Sequence, residues 1–136
     1  MMETTILCGR LVTGLGEAGE FTRIDWARRQ FMAKLGIDPY PGTLNLVIED
    51  GTELAKWLAV TATPGIILVS PREDWCNARC YPARIGDGTA DHLKAAIVLP
   101  EIVGYPEAKV ELIAAMGVRD RLGLQDGDPV TIEIDT

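Results

Sequence analysis

The feature that most constrains this chain is how many short extended stretches its turns mark out. Apolar or alternating runs at residues 6–13, 43–48, 66–69, 78–85, 94–99, 110–114 and 130–134 are punctuated by glycine, proline and aspartate, with two or three short helical patterns between them. A doubly wound sheet would alternate helix and strand regularly, and this pattern does not. It predicts a mainly β fold with short helices, a closed or nearly closed barrel. The 136 residues contain no internal repeat, low-complexity tract or linker, so one domain spanning 1–136 is expected.

Local signals refine the pattern. Asp25 reads as an N-cap for a helix over 26–35, stopped by Gly36, with Ala27, Phe31 and Leu35 forming a stripe that suits packing on a sheet. Pro39-Tyr40-Pro41-Gly42 is a rigid turn. Past it, Leu44, Leu46 and Ile48 point to one face of a half-buried strand, and Thr43 and Asn45 to the other. Leu54, Trp57 and Leu58 suggest a short helix, residues 118–122 a helical turn, and Asp126-Gly127-Asp128 a turn before the last strand.

Composition removes several function classes. A formal net charge of −7 opposes nucleic-acid binding, which needs a basic face to displace counterions. It does not oppose a small phosphorylated ligand, because backbone N–H groups and a metal ion can hold phosphate. Apolar runs of about five residues are far short of the roughly 20 that span a bilayer, so no membrane association is expected. The N-terminus lacks a basic stretch followed by a long apolar one, and Cys8, Cys76 and Cys80 are odd in number. Reduced thiols in a cytoplasmic protein are the natural expectation. Cys76 and Cys80, with His92 elsewhere as the lone histidine, read as packed thiols rather than a zinc site.

A few residues carry chemistry. Gly14, Leu15, Gly16, Glu17, Ala18 and Gly19 follow the first strand and lack both a Walker A lysine and a GxGxxG pattern opening a helix. This run is either a plain turn or a cradle of backbone N–H groups for an anion. Thr43 and Asn45, at i and i+2, are either solvent-facing polar residues or two hard oxygen donors for Mg2+, whose other ligands are usually waters and substrate phosphates. Glu111, inside an apolar run and on one face with Lys109 and Ile113, is either a solvated sheet residue or an acceptor for a ligand's N–H groups. Arg119 and Arg121 would meet phosphate or pair with Asp120 or Asp126. His92 reads as a surface residue.

The order and wording of several segments resemble a known family. Gly14-Leu15-Gly16-Glu17, Phe21 and the continuous block from Leu35 through Pro39-Tyr40-Pro41-Gly42-Thr43-Leu44-Asn45-Leu46 are similar to the archaeal-type CTP-dependent riboflavin kinases. The similarity resumes at 96–100, 110–114, Val118-Arg119 and 124–130. The resemblance implies a six-stranded cradle-loop β-barrel that transfers the γ-phosphoryl of CTP to riboflavin, giving FMN and CDP. It places nucleotide-phosphate contacts on Gly14, Leu15, Gly16, Glu17, Ala18 and Gly19, and a second nucleotide segment on Met116, Gly117, Val118 and Arg119. Mg2+ falls on Thr43 and Asn45, and flavin contacts fall on Glu111 and Val103. Glu17 is a candidate base only by its nearness to the loop.

The chain departs from the pattern in places. Ala18 stands where the family has glycine, Val103 where it has a flavin-contacting threonine, Ala115 for proline and Val118 for leucine. A left-handed backbone at position 18 would strain the alanine unless Gly19 took that role. The rival expectations are a barrel that binds flavin or nucleotide without catalysis, a kinase for another hydroxylated acceptor, and a DNA-binding regulator, which the acidic balance opposes. No residue pattern commits the chain to an oligomer.

Overall fold

The computed structural model describes residues 3–14, 17–86 and 92–136. Seven strands are found there: β1 (Thr4–Val12), β2 (Leu44–Val47), β3 (Ile66–Leu68), β4 (Ala78–Ile85), β5 (Leu93–Pro100), β6 (Lys109–Ala114) and β7 (Pro129–Asp135). Their spatial order is β3-β4-β5-β6-β2-β1-β7, and a further β4–β7 pairing joins the ends. Six strands therefore close an antiparallel barrel, and β3 is an extra edge on β4. Closure leaves backbone groups paired all the way round, which an open sheet of such short strands would not achieve.

The barrel has two apolar layers. Leu7, Leu11, Leu46, Tyr81, Ile97, Leu112 and Ile132 fill its interior. Phe21, Phe31, Ile37, Leu68, Val98 and Ile113 form a second cluster on its outer face. Strand β5 shows why its apolar run is continuous: Ala95 and Ile97 face the interior, and Ala96 and Val98 the outer layer. Burying an outer side chain such as Phe31 contributes about 2–3 kcal/mol.

That outer layer holds the segment after β1. Glu17–Arg23 forms a 3-10 turn, followed by α1 (Asp25–Gln30), which runs on as a π-helical turn (Phe31–Leu35) to a left-handed Gly36. Phe21 pins the 3-10 turn, edge-on to Trp26 and Trp75 at 5.9 and 6.0 Å. Asp25 is not the N-cap as expected; Ile24 holds that position without a side-chain bond, because the preceding 3-10 turn feeds straight into the helix. The remaining helices are α2 (Gly51–Thr61) and α3 (Val118–Leu122). Asp50 caps α2, accepting from the Glu53 N–H at 3.0 Å, which extends the helix beyond the Leu54, Trp57 and Leu58 pattern.

Ala18 carries no strain, since every positive-φ residue among those described is a glycine; its methyl is buried in the outer cluster. His92 is an exposed surface residue, as expected, with Nδ1 3.3 Å from Glu133. Cys80 is buried in apolar surroundings that push its thiol up to about 12, while Cys8 and Cys76 are partly exposed and all three are free. No helix among the described residues is long and apolar enough to cross a membrane.

Candidate functional site

Register places the site. Asn45 on β2 pairs with Glu111 on β6, so both side chains stand on the outer face, under the 3-10 turn. Thr43, two residues earlier, shares that face. Asn45 and Glu111 are only 7% and 1% exposed. Neither is a solvent-facing sheet residue, because the chain folds over them.

Glu111 collects donors from three directions. Its Oε1 accepts from the Thr43 hydroxyl at 2.8 Å and from the Ala18 N–H at 3.1 Å. Its Oε2 accepts from the Tyr105 hydroxyl, and the Lys109 ammonium stands 4.0 Å away. Burial, with the Glu111 hydrogen bond adding to it, pushes the Tyr105 phenol far above its usual range, so it stays a donor. One carboxylate thereby braces the 3-10 turn, the start of β2 and the β5–β6 loop together.

A second set of bonds fixes the turns. The Thr22 hydroxyl donates to the Gly19 carbonyl at 2.6 Å and accepts from the Gly42 N–H at 2.8 Å. Gly42 has φ 95°, the left-handed conformation that ends the Pro-Tyr-Pro-Gly turn. Across that turn, the Tyr40 N–H donates to the Ala114 carbonyl at 2.8 Å.

Three cavities surround this frame. One of about 560 Å³ is lined by Gly14, Glu17, Gly19, Arg23, Thr43 and Asn45. A neighbour of about 270 Å³ is lined by Tyr40, Met116, Gly117, Val118 and Arg119, and the two share Gly42 and Thr43. The third, about 480 Å³, lies between α2 and the β5–β6 loop and is lined by Trp57, Leu58, Ile102, Val103 and Tyr105 among others.

The residues singled out in the sequence are therefore distributed unevenly. Gly14, Glu17, Gly19, Thr43 and Asn45 come together, with Met116, Gly117, Val118 and Arg119 in the adjoining cavity. Ala18 is next to them, but its N–H is already bonded to Glu111. Leu15 and Gly16 lie outside the described residues. Val103 stands apart, fully exposed on the β5–β6 loop, where it lines the third cavity together with Tyr105. Arg119 pairs with Asp126, which Thr13 also contacts. Sequence reasoning did not single out Tyr105, Thr22 or Arg23; Tyr105 comes from a loop and the other two from a short 3-10 turn, where no apolar periodicity points to them.

The Asn45 carboxamide tests the metal expectation. Its Nδ2 donates to the Thr43 carbonyl at 3.2 Å, while its Oδ1 is buried with no hydrogen-bond partner. An orphaned acceptor of this kind costs about 1–3 kcal/mol. A cation would satisfy it, and the Thr43 hydroxyl, which donates to Glu111, keeps lone pairs free for the same ion. Two neutral oxygens beside a roomy polar cavity suit Mg2+ with phosphate oxygens and water as its other ligands.

Fold and site together define a closed antiparallel barrel with buried polar side chains on its outer face, beneath a turn that folds back over them, and with cavities beside them. More specifically, the chain belongs to the family described as a domain of unknown function, DUF120, whose model bears the short name CTP-dependent riboflavin kinase and matches residues 11–134. Among curated proteins it is similar to the riboflavin kinase of Methanocella arvoryzae, 36% identical over 130 residues that cover 96% of this chain and 57% of that protein. It is 34% identical to the riboflavin kinase of Saccharolobus solfataricus over 129 residues, 93% of this chain and 71% of the other. The Pyrobaculum calidifontis riboflavin kinase is 37% identical over 131 residues, 94% and 59% respectively. The chain thus spans little more than half the length of two of these three relatives.

Proposed function

We propose that this chain is a CTP-dependent riboflavin kinase, a single domain over 1–136 that acts in the cytoplasm and converts riboflavin and CTP to FMN and CDP with Mg2+. Family membership supports the riboflavin acceptor and the cytidine donor. The observation that carries the site assignment is the unpartnered Asn45 Oδ1, beside Thr43 and the glycine-bearing turn.

Phosphoryl transfer asks for positioning and charge neutralisation more than for covalent chemistry by the protein. In this reading Thr43 and Asn45 hold Mg2+, which would offset charge on the donor's phosphate oxygens. Gly14, Gly19 and their neighbours bring backbone close to the triphosphate without an intervening side chain. Tyr40, Met116, Gly117, Val118 and Arg119 surround the nucleoside. The acceptor's apolar ring lies toward Ile102, Val103 and Tyr105, and Glu111 fixes the geometry between the two substrates. Glu17 is poorly suited to take the acceptor's proton: its hydrogen bond to Lys109 holds its carboxyl below the usual range.

Incubation with riboflavin, Mg2+ and either CTP or ATP, read by chromatography, tests the proposal. FMN is expected with CTP in preference to ATP, and no FMN from either nucleotide would falsify it. Val103 offers no hydroxyl to a flavin, which favours a second reading, transfer to another hydroxylated acceptor. That reading predicts Mg2+-dependent CTP binding without FMN.

A further inference from the structure

The Glu17–Lys109 pair has the geometry of a latch. Glu17 rides on the turn that bears the glycines and lines the cavity shared with Thr43 and Asn45. Its Oε2 accepts from the Lys109 ammonium at 2.6 Å. Lys109 stands on β6, two residues before Glu111 and on the same face, 4.0 Å from the Glu111 carboxylate and 5.4 Å from the centre of the Tyr105 ring. The carboxylate it approaches is the one that braces Thr43. Lys109 is 17% exposed and Glu17 49%, so the anion, not the cation, is the more loosely held partner.

From this arrangement we infer that Glu17 is a built-in stand-in for the donor's terminal phosphate, and that Lys109 exchanges it for a phosphate oxygen when the triphosphate binds. This rests on the nucleotide site proposed above. The cavity already carries Glu17 and Glu20 against Arg23. A triphosphate brings further negative charge to the same place, and like charges at such range repel. Release of Glu17 toward solvent relieves that repulsion. The Lys109 ammonium, a compact charge on a flexible stem, then turns from Glu17 to the phosphate beside the metal ligands. The pair thus holds the turn against β6 without nucleotide and hands its cation over with nucleotide.

Calorimetric titration of CTP, CMP and inorganic triphosphate in Mg2+ tests this on the wild type, Glu17→Gln, Lys109→Met and Lys109→Arg. Glu17→Gln removes a competitor and should tighten CTP and triphosphate by about two- to five-fold, the scale of a half-exposed ion pair, with CMP little changed. Lys109→Met should weaken both by about ten-fold or more, with Lys109→Arg recovering most of the loss. The gain in Glu17→Gln is an effect that structural damage would not produce. Unchanged or weaker triphosphate binding in Glu17→Gln overturns the latch, as does a wild-type ratio of triphosphate to CMP affinity in Lys109→Met. Lys109-dependent triphosphate binding in a wild type that makes no FMN overturns the proposed activity and leaves the latch standing. FMN formation with wild-type kcat/KM for CTP in Lys109→Met does the reverse. A wild type that binds neither CTP nor triphosphate overturns both.

Discussion

At the scale of single residues, two neighbouring buried polar side chains differ in how far the chain satisfies them. Asn45 buries an oxygen that nothing in the chain satisfies, whereas Glu111, equally buried, is fully engaged. Their replacements should therefore behave in opposite ways. Asn45→Ala should change the unfolding free energy by no more than about 1 kcal/mol, since the orphaned acceptor leaves with the side chain. Glu111→Ala strands the Thr43 hydroxyl, the Ala18 N–H and the Tyr105 hydroxyl, and should cost about 2–4 kcal/mol. Denaturant unfolding of both variants distinguishes them, and similar losses would contradict the account. Period-two alternation was enough to put Thr43 and Asn45 on one face of their strand and Glu111 with Lys109 on one face of theirs. It could not show that these are the same face of the barrel, because the Asn45–Glu111 pairing joins residues far apart in the chain. Nor could it name Tyr105 or the Ala18 N–H as partners, since one comes from a loop and the other from a short 3-10 turn without an apolar period.

At the scale of elements, two turn glycines show how much a stop signal depends on its surroundings. Gly36 and Gly65 have φ 68° and 62°, where a side chain is strained by about 1–2 kcal/mol. A Cβ at Gly36 would meet only the flexible end of Lys94, 2.8 Å away. At Gly65 it would meet the Cys80 carbonyl and the Tyr81 ring at 2.8 Å, neither able to yield. Gly65→Ala should thus cost about 3 kcal/mol or more and Gly36→Ala about 1 kcal/mol, measured by thermal or denaturant unfolding. Equal costs would count against the packing described for the α2–β3 turn. The strands were legible because their apolar periodicity is strong: β4 and α3 fall on the residues expected of them. Boundaries were less legible where a cap decided them. The Asp50-x-x-Glu53 pattern that starts α2 lies outside its apolar stripe, and the entry to α1 is set by a 3-10 turn that has no cap signature of its own.

At the scale of the whole molecule, the barrel is closed by β7, which pairs with β1 on one side and β4 on the other. Asp135 stitches that seam. Arg84 on β4 donates to it at 2.8 and 3.1 Å and the Thr4 hydroxyl on β1 at 3.1 Å. The Arg84 bonds are the main cause that holds its carboxyl below the ordinary value of 3.8. A carboxylate lowered on folding contributes fully above its unfolded value and loses that contribution as pH falls through the folded one. Asp135→Asn should therefore lower the melting temperature at neutral pH, and the gap from wild type should shrink below about pH 4. A gap independent of pH would show that the seam does not rely on this charge. The barrel itself was legible from the count of strands and the scarcity of helices. Its closing pair was not, because β4–β7 contact links distant segments whose local sequence is ordinary for any strand.

The proposed activity depends on Thr43 and Asn45 acting with Mg2+ beside a triphosphate. Initial rates of FMN formation from riboflavin and CTP, measured across a Mg2+ titration for the wild type and Asn45→Ala, test it most directly. The account predicts a saturable Mg2+ dependence in the wild type and a loss of about a hundred-fold or more in a variant that still folds, the scale of removing one transition-state charge contact. Equal rates and equal Mg2+ dependence in the two proteins would contradict it.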